Sequence, residues 1–384
     1  MKQLYTSKKL AAVQQLYTLE APYQSSRSNN DLFISAMAEI TTWHYERNPF
    51  YRSLLNSRGY NPKNINNQSS LAELPVIHAN FFKKHSIWSI KDESIKHIFT
   101  SSGTLGQKSQ MAYDHASITA PFLMLNRYVS NLGWHTPNQA CNYLLLSYQP
   151  TSENQTIGTS YTDHILCKYA PINKLTYALK LTGDGHAFDP FGSIQALLDY
   201  AQEGLPVRIF GFPAFLFFIL DSMKKRGIAP IKLHPDSLVY LGGGWKNHAD
   251  KQIHKISFYQ EITKQLGISD LRIRDMFGSV EHCVPYTECS NHHFHIPVWA
   301  QVNILDLKTL KPLAYGQEGF LNLQSPYSTS APVHNILMSD LAVMHAGQSC
   351  GCGISSDYFE IIGRASTKKN RSCAVAASEF IYPN

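Results

Sequence analysis

The chain of 384 residues is 43% hydrophobic and 12% aromatic, and its 34 basic and 28 acidic side chains give a formal charge of +6. Such a length supports a sizeable core and more than one lobe, because single cores stop growing near about 250–300 residues. The charge is modest and spread without a long basic run, which argues against a dedicated nucleic-acid binder and suits a protein that handles acidic small molecules such as nucleotides.

At the N-terminus, MKQLYTSKKLAAVQQLYTLEAPY lacks the uninterrupted apolar stretch of a secretory signal. The longest apolar run, IFGFPAFLFFIL at 209–220, falls well short of the roughly twenty residues that span a bilayer. A soluble, cytoplasmic protein with no membrane span is therefore expected. Seven cysteines, an odd number that includes close pairs, point in that compartment to metal ligation or thiol chemistry rather than to a disulfide framework.

Residues 1–95 read as a helical N-terminal lobe, with LFISAMAEITTWHYERNPFYRSLL as its most periodic segment and the polar NPKNINNQSS after it. Over 96–325 the strand-like runs NYLLLSY, PVRIFGF, SLVYLGGG and LRIRDMFG alternate with helical patterns such as FGSIQALLDYAQEG. That alternation predicts an α/β core of layered sheets. The stripe PAFLFFIL reads either as the wall of an apolar pocket or as plain core. From about 296 the pattern turns to strand and turn, with a hairpin about LKTLKP, then a β-rich subdomain over 326–362 and a short tail over 363–384.

The loop FTSSGTLGQKSQ at 99–110 follows the apolar IKHIF and gathers Thr100, Ser101, Ser102, Gly103, Thr104, Gly106 and Lys108. Hydroxyl and backbone donors, close backbone approach at glycine and a lysine charge together suit a polyphosphate, although Ser-Ser-Gly-Thr is also ordinary turn chemistry. It is a poor P-loop, because Lys108 stands where the second glycine of that motif belongs. Further along, VYLGGGWKNH ends a strand in Gly242, Gly243 and Gly244, and IRDMFGSVEH places Phe277, Gly278, Ser279 and Glu281 at the end of another. A carboxylate there suits a hard cation that offsets charge on a phosphate. Two cysteine-histidine clusters remain, CVPYTECSNHHFH and SCGCG. Cys350 and Cys352 alone cannot satisfy a tetrahedral zinc, and Cys289 and His295 complete the expected set, with His293 as the competitor for the fourth place.

Taken in order, these segments resemble the adenylate-forming enzymes, the superfamily of acyl-CoA synthetases and adenylation domains. Gly-Gly-Gly-Trp-Lys and the tail resemble in particular its LuxE-type acyl-protein synthetases. TSSGTLGQK is similar to the superfamily's T-S-G-T-T-G-x-P-K loop, with Gln107 where proline is commoner. The resemblance implies ATP as substrate, with Thr100 to Lys108 on its phosphates, the turn Gly242–Gly244 and Phe277 at adenine, and Glu281 on magnesium. Val280 replaces the usual threonine, so Ser279 must supply any hydroxyl contact there. In NILMSDLAVM the resemblance assigns Asp340 to ribose, with Ser339 in a glycine position, and YFEIIGRAS ends in the hinge pair Gly363 and Arg364. Phenylacetate-CoA ligase-like relatives carry a cysteine and a histidine at similar positions, which implies a structural zinc.

After Arg364 only twenty residues remain, leaving no room for the mobile domain of typical members. Cys373, in Arg-Ser-Cys-Ala, resembles the acyl-accepting cysteine of the LuxE type, with Ser372 replacing a glycine. Lys368, Lys369 and Arg371 would favour its thiolate. The implied function is activation of a fatty acid or other carboxylic acid to acyl-AMP and transfer to Cys373 as a thioester, for delivery to a partner such as an acyl-CoA or acyl-protein reductase. The alternatives are a ligase that passes the acyl group to CoA or a carrier protein, and a zinc-stapled binding protein with an inactive nucleotide site.

Overall fold

The long helical pattern near the N-terminus becomes two helices, Arg27–Arg47 and Pro49–Ser57. They divide at Asn48, whose side chain accepts from Tyr51 N at 3.0 Å and so caps the second helix. Pro49 stands in the first turn, where a missing N–H costs no hydrogen bond. The structure is a computed structural model that describes residues 3–24, 26–100, 110–151, 158–183 and 185–365. Two compact units are present, and the chain passes from one to the other and back. One unit takes the described residues of 3–100, 110–128 and 279–365, and the other takes those of 129–278.

The 129–278 unit is the α/β layer expected from the alternation. Its strands lie in the order Ile273–Ser279, Leu238–Gly242, Val207–Gly211, Cys141–Tyr148, Ile172–Thr182 and Gly185–Phe188. The first five are mutually parallel, and the last pairs antiparallel. Leu238–Gly242, Val207–Gly211 and Cys141–Tyr148 are buried along nearly their whole length, as strands covered on both faces must be. Helix Pro213–Lys225 packs onto them through Leu216, Ile219, Leu220 and Met223, so the PAFLFFIL stripe is core. Each such side chain contributes roughly 1.5–3 kcal/mol by leaving water.

In the other unit, sequence neighbours and distant segments share one sheet. Its strands run in the order Phe294–His295, Tyr358–Arg364, Asn335–His345, Glu318–Gln324 and Gln301–Leu305, all antiparallel. Gln301–Leu305 and Glu318–Gln324 are the two arms of the expected hairpin. Ile77–His78 joins the central strand in parallel, with Ile77 opposite Ile336. Strand His97–Thr100 pairs with Gln110–Tyr113 as a separate two-stranded hairpin around residues 101–109. Among the described residues no helix is long and apolar enough to cross a membrane, and the six cysteines are all free.

Candidate functional site

In the 129–278 unit, Leu238–Gly242 and Ile273–Ser279 run side by side with Gly242 opposite Met276. Their carboxyl ends therefore emerge on one edge, where α/β sheets receive ligands. Gly243 and Gly244 follow with φ of +74° and +68°, left-handed backbone that a residue with a side chain adopts only under strain. Both are exposed, so the turn presents bare main chain. Trp245 anchors it from beneath, buried against Phe217 and Phe258 with ring centroids 5.4 and 5.7 Å away. Phe277 is half-buried and Gly278 exposed at the end of the neighbouring strand.

The other unit holds the acidic positions. Glu281 is buried, and the Ser279 hydroxyl donates to its carboxylate while Glu281 N donates back to Ser279 Oγ at 3.2 Å. Val280, between them, accepts a hydrogen bond on its carbonyl from the Tyr113 hydroxyl. Asp340 lies on the central strand Asn335–His345 in register with Arg364, whose Nε donates to Asp340 Oδ1 at 3.4 Å. Burial raises the Asp340 carboxyl above the usual aspartate range, and the Arg364 charge partly offsets the rise. Arg364 is itself mostly exposed, so solvent screens the pair.

The sheet brings Cys289, His295, Cys350 and Cys352 together, and their ligand atoms all lie within 4.8 Å of one another. Phe294–His295 pairs with Tyr358–Arg364, which sets His295 opposite Tyr358 and beside the turn that carries both later cysteines. Gly351, at φ +75°, lets that turn fold back between its two sulfurs. Cys289 Sγ is 3.6 Å from Cys350 Sγ, and Cys352 Sγ is 3.2 Å from His295 Nε2. The ring's other nitrogen, Nδ1, is 2.6 Å from the Ser356 carbonyl. A carbonyl can only accept, so Nδ1 carries the proton and Nε2 offers its lone pair to the cluster. Asn291 N and Ile354 N donate to Cys289 Sγ and Cys352 Sγ at 3.3 and 3.5 Å, contacts that suit thiolates. Three sulfurs and one imidazole form a donor set matched to tetrahedral zinc. His293 stands outside these four, with Nδ1 3.2 Å from Cys350 Sγ and its ring stacked on Tyr358 at 4.4 Å.

Several sequence-predicted residues lie outside the described set: Ser101, Ser102, Gly103, Thr104, Gly106 and Lys108 of the loop, and Cys373 of the tail. Thr100 is described as backbone, the last residue of strand His97–Thr100. The Ser279 hydroxyl contact, left open by the motif, goes to Glu281 itself. Two contributors carry no sequence signal. Tyr113 is one tyrosine among 21, and the Ser356 carbonyl is main chain, which no residue pattern announces.

The sequence profile of the family described as acyl-protein synthetase, LuxE, matches residues 7–381. The long-chain-fatty-acid–luciferin-component ligase of Aliivibrio fischeri is 26% identical over 353 residues, which is 90% of this chain and 88% of that protein. The protein of the same name from Vibrio harveyi is 26% identical over 88% of this chain and 85% of its own. A phenylacetate-coenzyme A ligase of Thermus thermophilus is 20% identical over 83% of this chain and 66% of its own. Among solved structures, an open conformation of 2-hydroxyisobutyryl-CoA ligase superposes with a TM-score of 0.65 at 14% identity, covering 89% of this chain and 76% of that one, which is a likeness of fold.

Proposed function

Because this chain belongs to the LuxE acyl-protein synthetase family, we propose that it activates a fatty acid with ATP to acyl-AMP and pyrophosphate, then carries the acyl group on Cys373. The observation that supports this most is the family match itself, which runs from residue 7 to residue 381 and so includes the loop, both acidic positions and the tail. In the first half-reaction a carboxylate oxygen of the fatty acid bonds to the α-phosphorus, and the bond from that phosphorus to the bridging oxygen of pyrophosphate breaks. Lys108 and the hydroxyls of Thr100 to Thr104 hold the β- and γ-phosphates in this reading. The exposed main chain of Gly243 and Gly244 approaches adenine, Phe277 lies against the ring, and Asp340 accepts from the ribose hydroxyls. Glu281, oriented by Ser279, holds magnesium, which when bound neutralises charge on the departing pyrophosphate.

In the second half-reaction the Cys373 thiolate attacks the acyl carbonyl, the acyl–oxygen bond breaks and AMP leaves with the electron pair. The nearby Lys368, Lys369 and Arg371 favour the thiolate. We assign zinc to Cys289, His295, Cys350 and Cys352. Four protein ligands close such a site, so its contribution is folding energy and not chemistry. A cytoplasmic location and delivery of the thioester to a reductase complete the reading.

Single-turnover labelling with radioactive fatty acid and ATP tests the assignment. The expected result is a hydroxylamine-sensitive label on the protein that Cys373→Ser loses, while the variant still exchanges pyrophosphate into ATP. A ligase that uses CoA or a carrier leaves no label on this chain, and an inactive binding protein shows neither exchange nor label. Normal thioester label on Cys373→Ser would move the acceptor elsewhere.

A further inference from the structure

Strands His97–Thr100 and Gln110–Tyr113 form the two legs of the hairpin around the phosphate-loop segment, and Tyr113 is the last residue of the returning leg. Its main chain is fixed by pairing with His97 and by Lys96 N, which donates to Tyr113 O at 2.8 Å. Tyr113 is 8% exposed, and its ring meets Phe99 edge-on at 5.1 Å. Asp114 then pins the chain on the far side, accepting from Ser117 N at 2.9 Å and from Thr329 Oγ1 at 2.5 Å. From a ring held this way the hydroxyl reaches the Val280 carbonyl. Val280 is the residue between the partners of the Ser279–Glu281 hydrogen bond.

From this juxtaposition we infer that Tyr113 is a positioning residue for adenylation: its hydrogen bond to the Val280 carbonyl holds the Ser279–Glu281 turn at the geometry in which Glu281 receives magnesium. The inference rests on the reading of Glu281 given above and adds a structural tie from the phosphate-loop hairpin to the cation carboxylate. Outer partners of metal ligands are worth about 10- to 100-fold in metal affinity. A partner that acts through the main chain belongs at the lower end of that range.

The test is ATP–pyrophosphate exchange by the full-length protein with hexadecanoate, titrated with magnesium. Tyr113→Phe keeps the ring and its packing and removes only the hydroxyl. The half-saturating magnesium concentration is expected to rise about tenfold, with the rate recovering at high magnesium and the half-saturating hexadecanoate concentration unchanged. Tyr51→Phe removes a buried hydroxyl bonded to His334 Nε2 at 2.8 Å and controls for the general cost of such a loss; its magnesium curve should match wild type. An unmoved curve for Tyr113→Phe, a rate that high magnesium does not restore, or an equal shift in Tyr51→Phe would each overturn the inference. Glu281→Gln separates the two levels. If its magnesium demand is that of wild type, the assignment of Glu281 itself falls. If Glu281→Gln is impaired and Tyr113→Phe is silent, only the role of Tyr113 falls.

Discussion

The cysteine-histidine cluster and the acidic pair Glu281 and Asp340 are both built from buried or half-buried ionisable groups in the same unit, yet they are held in opposite ways. Each member of the cluster faces the other three, and backbone N–H groups or a carbonyl steady the outer atoms. Glu281 and Asp340 instead meet a serine hydroxyl and a screened arginine, partners that a stronger ligand can replace. A closed set stores folding energy, whereas an open set keeps its binding capacity for something that comes and goes. A third case lies six residues before Cys289. Cys283 is buried with its sulfur 3.9 Å from the Ser117 carbonyl, and burial pushes its thiol up to about 12. A thiol so placed is inert packing.

The sharpest way to break this contrast is to open the closed set. Cys352→Ser, or prolonged chelation of the wild-type protein, should lower the melting temperature of the unit that holds the cluster by about 10 °C or more, since a structural zinc contributes several kcal/mol and each is worth about 2–4 °C in a unit of about 150–250 residues. Elemental analysis should find one zinc per chain in wild type and none in the variant. Zinc-free wild-type protein with an unchanged melting temperature would remove the site.

An intermediate effect is expected at Asp340, and it concerns binding and not stability. Its raised folded pKa means that folding takes up a proton between the unfolded and folded values, so stability falls as pH rises through that window and the charged form gives no folding benefit at neutral pH. Asp340→Asn should therefore keep its melting temperature while raising the half-saturating ATP concentration about tenfold, the loss of a hydrogen bond to a charged acceptor. In wild type that concentration should climb on acidification at a higher pH than an ordinary aspartate would give, and Asp340→Asn should flatten the profile. An asparagine variant that keeps the wild-type profile would show that another group titrates.

The smallest effect belongs to Cys283. Cys283→Ala should leave acyl labelling unchanged and lower the melting temperature by about 2–4 °C, the value of roughly 1 kcal/mol of lost packing. Loss of label would make this sulfur a participant and erase its difference from the cluster.

Legibility in the sequence followed the range of the interactions. The parallel strand ending at Gly242 was readable because burial on both faces writes a continuous apolar run, and the glycine turn because its backbone excludes side chains. Cys350 and Cys352 were readable from their spacing, and the chemistry of zinc then called for two more donors. The sequence did not disclose that residues 129–278 form one unit inside a chain whose flanks form the other, because no local pattern records that Ile77 pairs with Ile336. Nor did it disclose that the hydroxyl-rich segment Ser325–Ser330 is buried throughout. The hydroxyls of Thr329 and Ser330 are satisfied by partners far away in sequence, Asp114 and Ser117.

The parallel pairing of Ile77–His78 with Asn335–His345 also sets an order on synthesis. A ribosome releases residues 129–278 as a continuous stretch, and that unit has its strands in hand before the residues beyond 279 emerge. The helices Arg27–Arg47 and Pro49–Ser57 leave the ribosome earlier but belong to a unit whose central strand comes more than half a chain later. During translation their apolar faces must wait uncovered, the condition in which nascent chains recruit chaperones or aggregate. Slowing elongation before residue 335 would lengthen that wait, so the yield of folded protein should depend on codon choice in the middle of the gene more than at either end.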